Sequence, residues 1–377
     1  MPTLDFPVDW GTMSALIFRY FLLAIIMSTP SCAIISLGCP KTLVDSEQIL
    51  GLLQRGGLRV VLEPEEADVV VVNTCGFLEA SREESLAEIH AMEALRKDPQ
   101  AALRCLIVAG CLVSRDGEAL IERCPNVDVF LDVFSRERVL DAVQETLKGQ
   151  TAPRFICGAS EAVTPDEHRF PLLPPHVAYL KIAEGCNRRC AFCAIPNIRG
   201  NYSSKPLPQV LAEAKQLVEN GVRELVLIAQ DTSFYGRDLA GTPEETSLAE
   251  LLGALGKISG LRWIRVLYLY PQYFDDALIE AFASTPNVVP YLDMPLQHIN
   301  DRIFALHAAG RHAGADVGTV GQAAAADTPS GDSDGVYCWL PRRDRSRVRR
   351  ASRLCPQAAF HACRRFSILT RGGHAGG

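Results

Sequence analysis

No apolar run in this chain reaches the ~20 residues that a membrane-spanning helix needs. The nearest attempt, Met13 to Met27, is interrupted by Arg19 and Tyr20. It makes a poor secretory signal as well, because no positive charge precedes it and no A-x-A-like site follows. Residues 1–30 are therefore read as a non-native or flexible extension, with the working chain expected to begin near Met27 and no membrane as partner. Positive charge is also lacking. The net charge is −6, and residues outside 303–377 carry 27 basic against 39 acidic groups. That balance excludes a broad nucleic-acid footprint, and no specific nucleic acid is expected. The 13 cysteines are not crowded into a short chain, which excludes a small disulfide-stapled scaffold and favours metal binding in a reducing, cytoplasmic compartment. Between residues 194 and 337 there is no cysteine at all.

What is present is concentrated in Gly185-Cys186-Asn187-Arg188-Arg189-Cys190-Ala191-Phe192-Cys193. The alternating apolar run Val177 to Ile182 precedes it, so a short strand delivers three thiols in a C-x3-C-x2-C pattern into one loop. Soft thiolates select zinc, copper(I) or iron–sulfur clusters. A structural zinc site wants four protein ligands, and no fourth lies nearby. Three thiolates on a four-iron cluster leave one iron open to a small molecule.

This stretch resembles the signature of radical S-adenosylmethionine enzymes. The resemblance implies a 4Fe-4S cluster held by Cys186, Cys190 and Cys193, with Phe192 as the aromatic beside it. Its open iron would chelate the amino and carboxylate groups of S-adenosylmethionine, whose sulfonium is cleaved to a 5′-deoxyadenosyl radical. A full or partial (βα) barrel is implied too, with the cluster loop after the first strand. Active sites of such barrels lie at the carboxyl ends of the strands, in keeping with a strand ending near Ala183.

Upstream, residues 31–148 alternate strands and helices. Strands are expected at Cys32–Leu37, Leu58–Leu62, Asp68–Val72, Cys105–Ala109 and near Val127–Val133, with helices at about Ser46–Arg55, Leu78–Lys97 and up to Leu147. That order predicts an α/β domain with a mainly parallel sheet. Cys39, Cys75 and Cys111 each follow the carboxyl end of a strand, 36 residues apart in both intervals. Such ends share one sheet edge, where open parallel sheets bind ligands. Three distant cysteines are thus expected to converge on one cluster; the plainer alternative is a small residue in each of three tight turns. Cys32 and Cys105 read as buried apolar residues, and Cys124 and Cys157 as structural.

Leu37-Gly38-Cys39-Pro40-Lys41 with Leu43-Val44-Asp45-Ser46-Glu47, then Asn73-Thr74-Cys75-Gly76-Phe77, then Gly110-Cys111-Leu112, resemble the amino-terminal domain of methylthiotransferases. The Cys-Pro-Lys after Gly38 and the Gly-Phe after Cys75 look closer to the RimO-type ribosomal branch than to the tRNA-modifying one. The resemblance implies a second 4Fe-4S cluster on Cys39, Cys75 and Cys111, tied to sulfur donation. It further implies methylthiolation of an aspartate β-carbon in a small-subunit ribosomal protein, a second S-adenosylmethionine as methyl source, and an electron donor of flavodoxin or ferredoxin type. A tRNA adenosine methylthiotransferase, a non-catalytic electron carrier and an inactive iron–sulfur fragment are the rival readings.

Residues 149–176, Pro-rich and aperiodic, read as a linker. Residues 177–302 read as an incomplete barrel with strands at Glu224–Ala229, Trp263–Tyr270 and Val288–Leu292. By position Gln230, Asp231 and Gln297 are candidate ligands of S-adenosylmethionine or polar residues of the barrel lip; loop-capping hydrogen bonds are the alternative. Arg199 is a candidate partner for a carboxylate of the bound methionine moiety or of the substrate. His298, alone at a strand end, reads more readily as a structural group than as a base. After about Arg302 the resemblance stops. Residues 303–377 hold 11 Arg and 5 Asp with neither Lys nor Glu, which reads as a disordered, out-of-frame tail after a frameshift, weak or inactive on the ribosomal substrate; an Arg-rich RNA-binding arm is the alternative.

Overall fold

The computed structural model describes residues 29–149, 154–158, 166, 168–190, 193–295 and 335–339. Phe192, Gln297, His298 and residues 1–28 of the extension expected at 1–30 lie outside these residues, as does the tail apart from 335–339.

Val69–Thr74 (β3) and Cys105–Gly110 (β4) are buried at every position, as strands covered on both faces must be. They form the centre of a six-stranded parallel sheet with Ser31–Ser36 (β1), Arg59–Val60 (β2), Val129–Leu131 (β5) and Phe155–Ile156 (β6), in the order β2-β1-β3-β4-β5-β6. Helix α1 (Pro40–Arg55) carries Ile49, Leu50 and Leu53 onto one face of the sheet. Helix α2 (Glu79–Leu95) carries Leu86, Ile89 and Met92 onto the other. Three shorter helices follow: α3 (Cys111–Asp116), α4 (Ala119–Arg123) and α5 (Val139–Leu147).

Two sequence expectations change here. Helix α1 begins at Pro40 rather than near Ser46. Cys39 is extended and Pro40 occupies the first turn, where its fixed φ and missing N–H suit a helix start. The stretch expected as a linker supplies the edge strand β6. It also runs back over α1, where Phe170 N–H donates to the Glu47 carbonyl and Leu172 N–H to Glu47 Oε1.

The second unit begins with Val177–Lys181 (β7), which pairs in parallel with Glu224–Ile228 (β10), itself parallel to Trp263–Val266 (β11). A single parallel bridge, Ile264 to Val288, extends this curved sheet by one more chain segment. Between β7 and β10 lie a small antiparallel hairpin of Ala183–Glu184 (β8) and Ser203–Ser204 (β9), a short helix α6 (Ile195–Arg199) and α7 (Leu207–Glu219). Helices α8 (Leu248–Leu255) and α9 (Asp276–Ser284) complete the βα alternation. Leu180, Leu225, Leu227, Leu251, Ile264 and Phe282 share its core. The architecture is thus an α/β domain joined to a partial (βα) barrel. Tyr291–Pro295 (β12) pairs antiparallel with Gly335–Trp339 (β13), the one described segment of the expected tail. Among the described residues no helix is long and apolar enough to cross a membrane.

Candidate functional site

Three parallel strands end side by side, and a cysteine follows each end. Ser36 of β1 faces Asn73 of β3, and Thr74 faces Gly110 of β4. Cys75 and Cys111 are the next residues after β3 and β4; Cys39 lies three beyond β1. Asn73 holds this edge together, donating its side-chain amide to the Thr42 carbonyl (3.0 Å) and to Ser46 Oγ (2.8 Å) of α1. Glycines permit the close approach. A Cβ at Gly38, whose φ is +102°, would lie 2.9 Å from Cys75 Cβ and 3.2 Å from its sulfur. A Cβ at Gly76 would lie 2.6 Å from the Cys111 carbonyl oxygen and 2.9 Å from Leu112 N. Arg115 fixes the same turn by donating to the Gly76 (2.6 Å) and Phe77 (2.9 Å) carbonyls. Gly76→Ala is therefore expected to destabilise the domain by about 1–3 kcal/mol, the usual overpacking range. It should also move Cys111 and reduce the iron retained after reconstitution. Thermal melting and iron assay check both outcomes, and an unaltered melt would contradict the packing argument.

The barrel cysteines are set by the β8–β9 hairpin. Gly185 adopts φ +72°, and a Cβ there would overlap the Asn201 carbonyl oxygen. Cys186 N–H donates to the Gly200 carbonyl at 3.1 Å, and Tyr202 N–H to Asn187 Oδ1 at 2.9 Å. Cys193 N–H closes a turn on the Cys190 carbonyl. Cys186 is buried, whereas Cys190 and Cys193 are half-buried. Burial pushes the Cys186 and Cys193 thiols up, each with a neighbouring loop cysteine adding to the rise.

All six of these cysteines are free. A single tetrahedral zinc at ~2.3 Å from each sulfur would draw them within about 3.8 Å of one another. Among the described residues the one group of three His, Cys, Asp or Glu ligand atoms within 4.8 Å is His90, Glu93 and Cys124, which includes none of the six. There Glu93 Oε1 accepts the Asn126 N–H, so that group has a structural use. Neither cysteine triplet is closed tightly enough for one ion. Sulfurs spaced more widely than one ion requires are compatible with a multi-iron cage, and thiolate donors suit that metal.

The amino-terminal domain and the barrel meet beside Cys111. Helix α3, which opens with Cys111, packs against α6, which follows Cys193, and Cys111, Val133 and Ile198 of α6 share one small apolar cluster there. Arg199, at the end of α6, is 2% exposed. Its Nε donates to Cys111 Sγ (3.3 Å), Nη1 to Glu184 Oε1 (3.0 Å) and Nη2 to Asp45 Oδ2 (2.8 Å). Asp45 also accepts from Lys181 Nζ at 2.7 Å, and Lys181 lies 3.2 Å from Glu184 and 3.7 Å from Asp166. Burial pushes Asp45 and Glu184 up, but the surrounding cations outweigh it and hold both carboxyls below the usual range. At Cys39 burial likewise raises the thiol, and the Lys41 and Arg199 cations overcome it, leaving it below its ordinary value. Cys111 stays above its ordinary value because burial exceeds the help from Arg199. Lys41 stacks its ammonium 3.7 Å above the Tyr268 ring, and burial lowers its pKa.

The remaining candidates are at the barrel mouth. Gln230 donates to Glu184 Oε1 at 3.0 Å, and its own Oε1 is buried without a partner among the described residues. Asp231 accepts from Arg188 Nε at 2.7 Å and from Ser233 at 2.7 Å, while Arg188 stacks 3.4 Å over the Tyr270 ring. Arg199 thus meets protein carboxylates and a cysteine rather than the surface. Asp45, Lys181 and Glu184 were not singled out as site residues from sequence. Their one local signal is a lysine ending an otherwise apolar strand, followed three residues later by a carboxylate before glycine.

The comparisons with known proteins agree over about three quarters of the chain. Residues 31–132 match the model of the uncharacterized protein family UPF0004, and residues 180–318 that of the radical SAM superfamily, running past Arg302. The ribosomal protein uS12 methylthiotransferase RimO of Desulforamulus reducens is 45% identical over 74% of this chain and 62% of its own length. The protein of the same description from Syntrophus aciditrophicus is 43% identical over 74% and 61%. The chain therefore spans about three fifths of the length of these relatives. A solved radical S-adenosylmethionine methyltransferase, TsrM from Kitasatospora setae with cobalamin and a [4Fe-4S] cluster bound, superposes with a TM-score of 0.49 at 12% identity, covering 73% of this chain and 62% of that one.

Proposed function

Because the chain belongs to the RimO-type branch of the radical S-adenosylmethionine methylthiotransferases, we propose that it attaches a methylthio group to the β-carbon of an aspartate in ribosomal protein uS12. The reaction would take place in the cytoplasm, with electrons from a flavodoxin- or ferredoxin-type donor. The observation that carries this reading is the pair of free-cysteine triplets, one at a parallel-sheet edge and one in the loop after the first barrel strand, in units that meet where α3 packs on α6. Cys39, Cys75 and Cys111 would hold one 4Fe-4S cluster, and Cys186, Cys190 and Cys193 the other. An unactivated C–H bond cannot be opened by acid–base groups near neutral pH, so a radical generated with S-adenosylmethionine supplies the hard step.

The protein's own residues bind, orient and shield. Arg188, held by Asp231 and stacked on Tyr270, walls one side of the barrel-mouth loop. The buried Gln230 Oε1, unpartnered among the described residues and two residues beyond the end of β10, is an acceptor suited to an ammonium group such as the methionine moiety carries. Deprotonated thiolates are needed to hold iron, and the positive surroundings of Cys39 favour that form.

The test is anaerobic reconstitution followed by iron and sulfide assay. The whole chain should hold two four-iron clusters, and a Cys186/Cys190/Cys193 triple Ala variant about half the iron. Mass spectrometry after incubation with S-adenosylmethionine and reductant should find methylthio-aspartate in uS12. Zinc, or no metal, would overturn the proposal; methylthio-adenosine in tRNA would transfer it to the RNA-modifying branch.

A further inference from the structure

Arg199 uses its three guanidinium nitrogens on three separate pieces of chain. Nε–H points at Cys111 Sγ on α3, Nη1 at Glu184 on β8, and Nη2 at Asp45 on α1. Two carboxylates thus compensate one cation in a place only 2% exposed. Their positions leave the guanidinium plane little freedom, because a planar fork bound at both ends cannot rotate away from the third contact. Beyond them Lys181, fully buried, bridges Asp45 and Glu184 from the barrel side and locks the two acceptors. What reaches Cys111 is a directed N–H, supplied by the barrel half of the chain to a sulfur of the other half.

Resting on the reading of Cys39, Cys75 and Cys111 as cluster ligands, we propose that Arg199 is a positioning residue that holds the Cys111 sulfur from the barrel side and sets the reduction potential of the amino-terminal cluster. Hydrogen bonds and positive charge at a ligating sulfur stabilise the reduced, more negative cage and raise its potential. The same contact ties that potential to the seating of the two units, since Arg199 is placed by α6 and Cys111 by β4 and α3.

The experiment is a redox titration, monitored by electron paramagnetic resonance, of the full-length chain with Cys186, Cys190 and Cys193 replaced by Ala, so that only the amino-terminal cluster reports. In that background Arg199→Gln should shift the midpoint to more negative potential by at least about 59 mV, a tenfold change in the oxidised-to-reduced ratio for a one-electron couple. Arg199→Lys, which keeps the charge but not the fork, should shift it the same way by less. A purely structural arginine would lower melting temperature or iron content and leave the midpoint where it was; unchanged midpoints overturn the proposal. If Arg199→Gln does not retain a cluster, the sign of the Arg199→Lys shift decides. Failure of the parent reading is distinct, because the triple Ala background would then hold no iron–sulfur cluster before Arg199 is touched.

Discussion

Lys181→Met is expected to lower folding stability by about 3–5 kcal/mol, the range seen when one member of a buried ion pair is removed and its partners are left uncompensated. Lys181 is 0% exposed and lies 2.7 Å from Asp45, 3.2 Å from Glu184 and 3.7 Å from Asp166. Methionine fills nearly the same volume, so the loss is electrostatic rather than a cavity. The sign of its pH dependence follows from the carboxyls. Burial raises Asp45, Asp166 and Glu184, but Lys181 and the neighbouring arginines pull all three below their unfolded values. Groups depressed in the folded state add stability above about pH 4, and that stability is lost as pH falls through the folded values. Without Lys181 those values rise toward the ordinary range. The gap between wild type and variant should be widest near pH 7 and narrow below about pH 4. Urea unfolding at the two pH values measures it, and a gap that widens in acid would refute the network's role.

This network explains why the site was only half legible in the sequence. Cys75 and Cys111 could be placed because each sits just beyond a strand whose apolar, fully buried run is a local signal, and Cys39 because it follows the half-buried β1 at the same edge. The Gly185–Cys193 loop was visible from spacing alone. The links between them were not, because their partners are far apart in the chain: 136 residues for Lys181 and Asp45, 154 for Arg199 and Asp45. Arg199 looked like a residue waiting for a ligand carboxylate, since nothing nearby in sequence announces Asp45. The early start of α1 was hidden for a local reason. Gly-Cys-Pro-Lys reads as a turn, yet proline is well suited to the first helical turn. Starting there brings Thr42, Asp45 and Ser46 onto the helix, where Thr42 and Ser46 meet Asn73 and Asp45 meets the barrel. The Pro-rich segment before β7 was expected as a tether because it lacks periodicity. It is held instead by long-range bonds to Glu47 and by Asp166, which accepts from Lys205 at 2.7 Å.

Gly185→Ala is expected to remove the barrel cluster while sparing the amino-terminal one. At φ +72° an alanine carries left-handed strain of roughly 1–2 kcal/mol. The larger effect is steric, since its Cβ would overlap the Asn201 carbonyl and press on that of Gly200. Both belong to backbone, and Gly200 is the acceptor that seats Cys186 N–H. The β8–β9 hairpin cannot yield without carrying Cys186 away from Cys190 and Cys193. Gly221→Ala is the control: its φ of +103° imposes comparable strain, but nothing lies within 4 Å of the added carbon. The Gly185 variant should therefore keep roughly half the iron of the parent and lose cleavage of S-adenosylmethionine. The Gly221 variant should lose only a little stability and no iron. Full iron in Gly185→Ala would mean that the hairpin does not set the first ligand. Equal iron loss in both would mean that backbone strain, not the Asn201 contact, governs the loop.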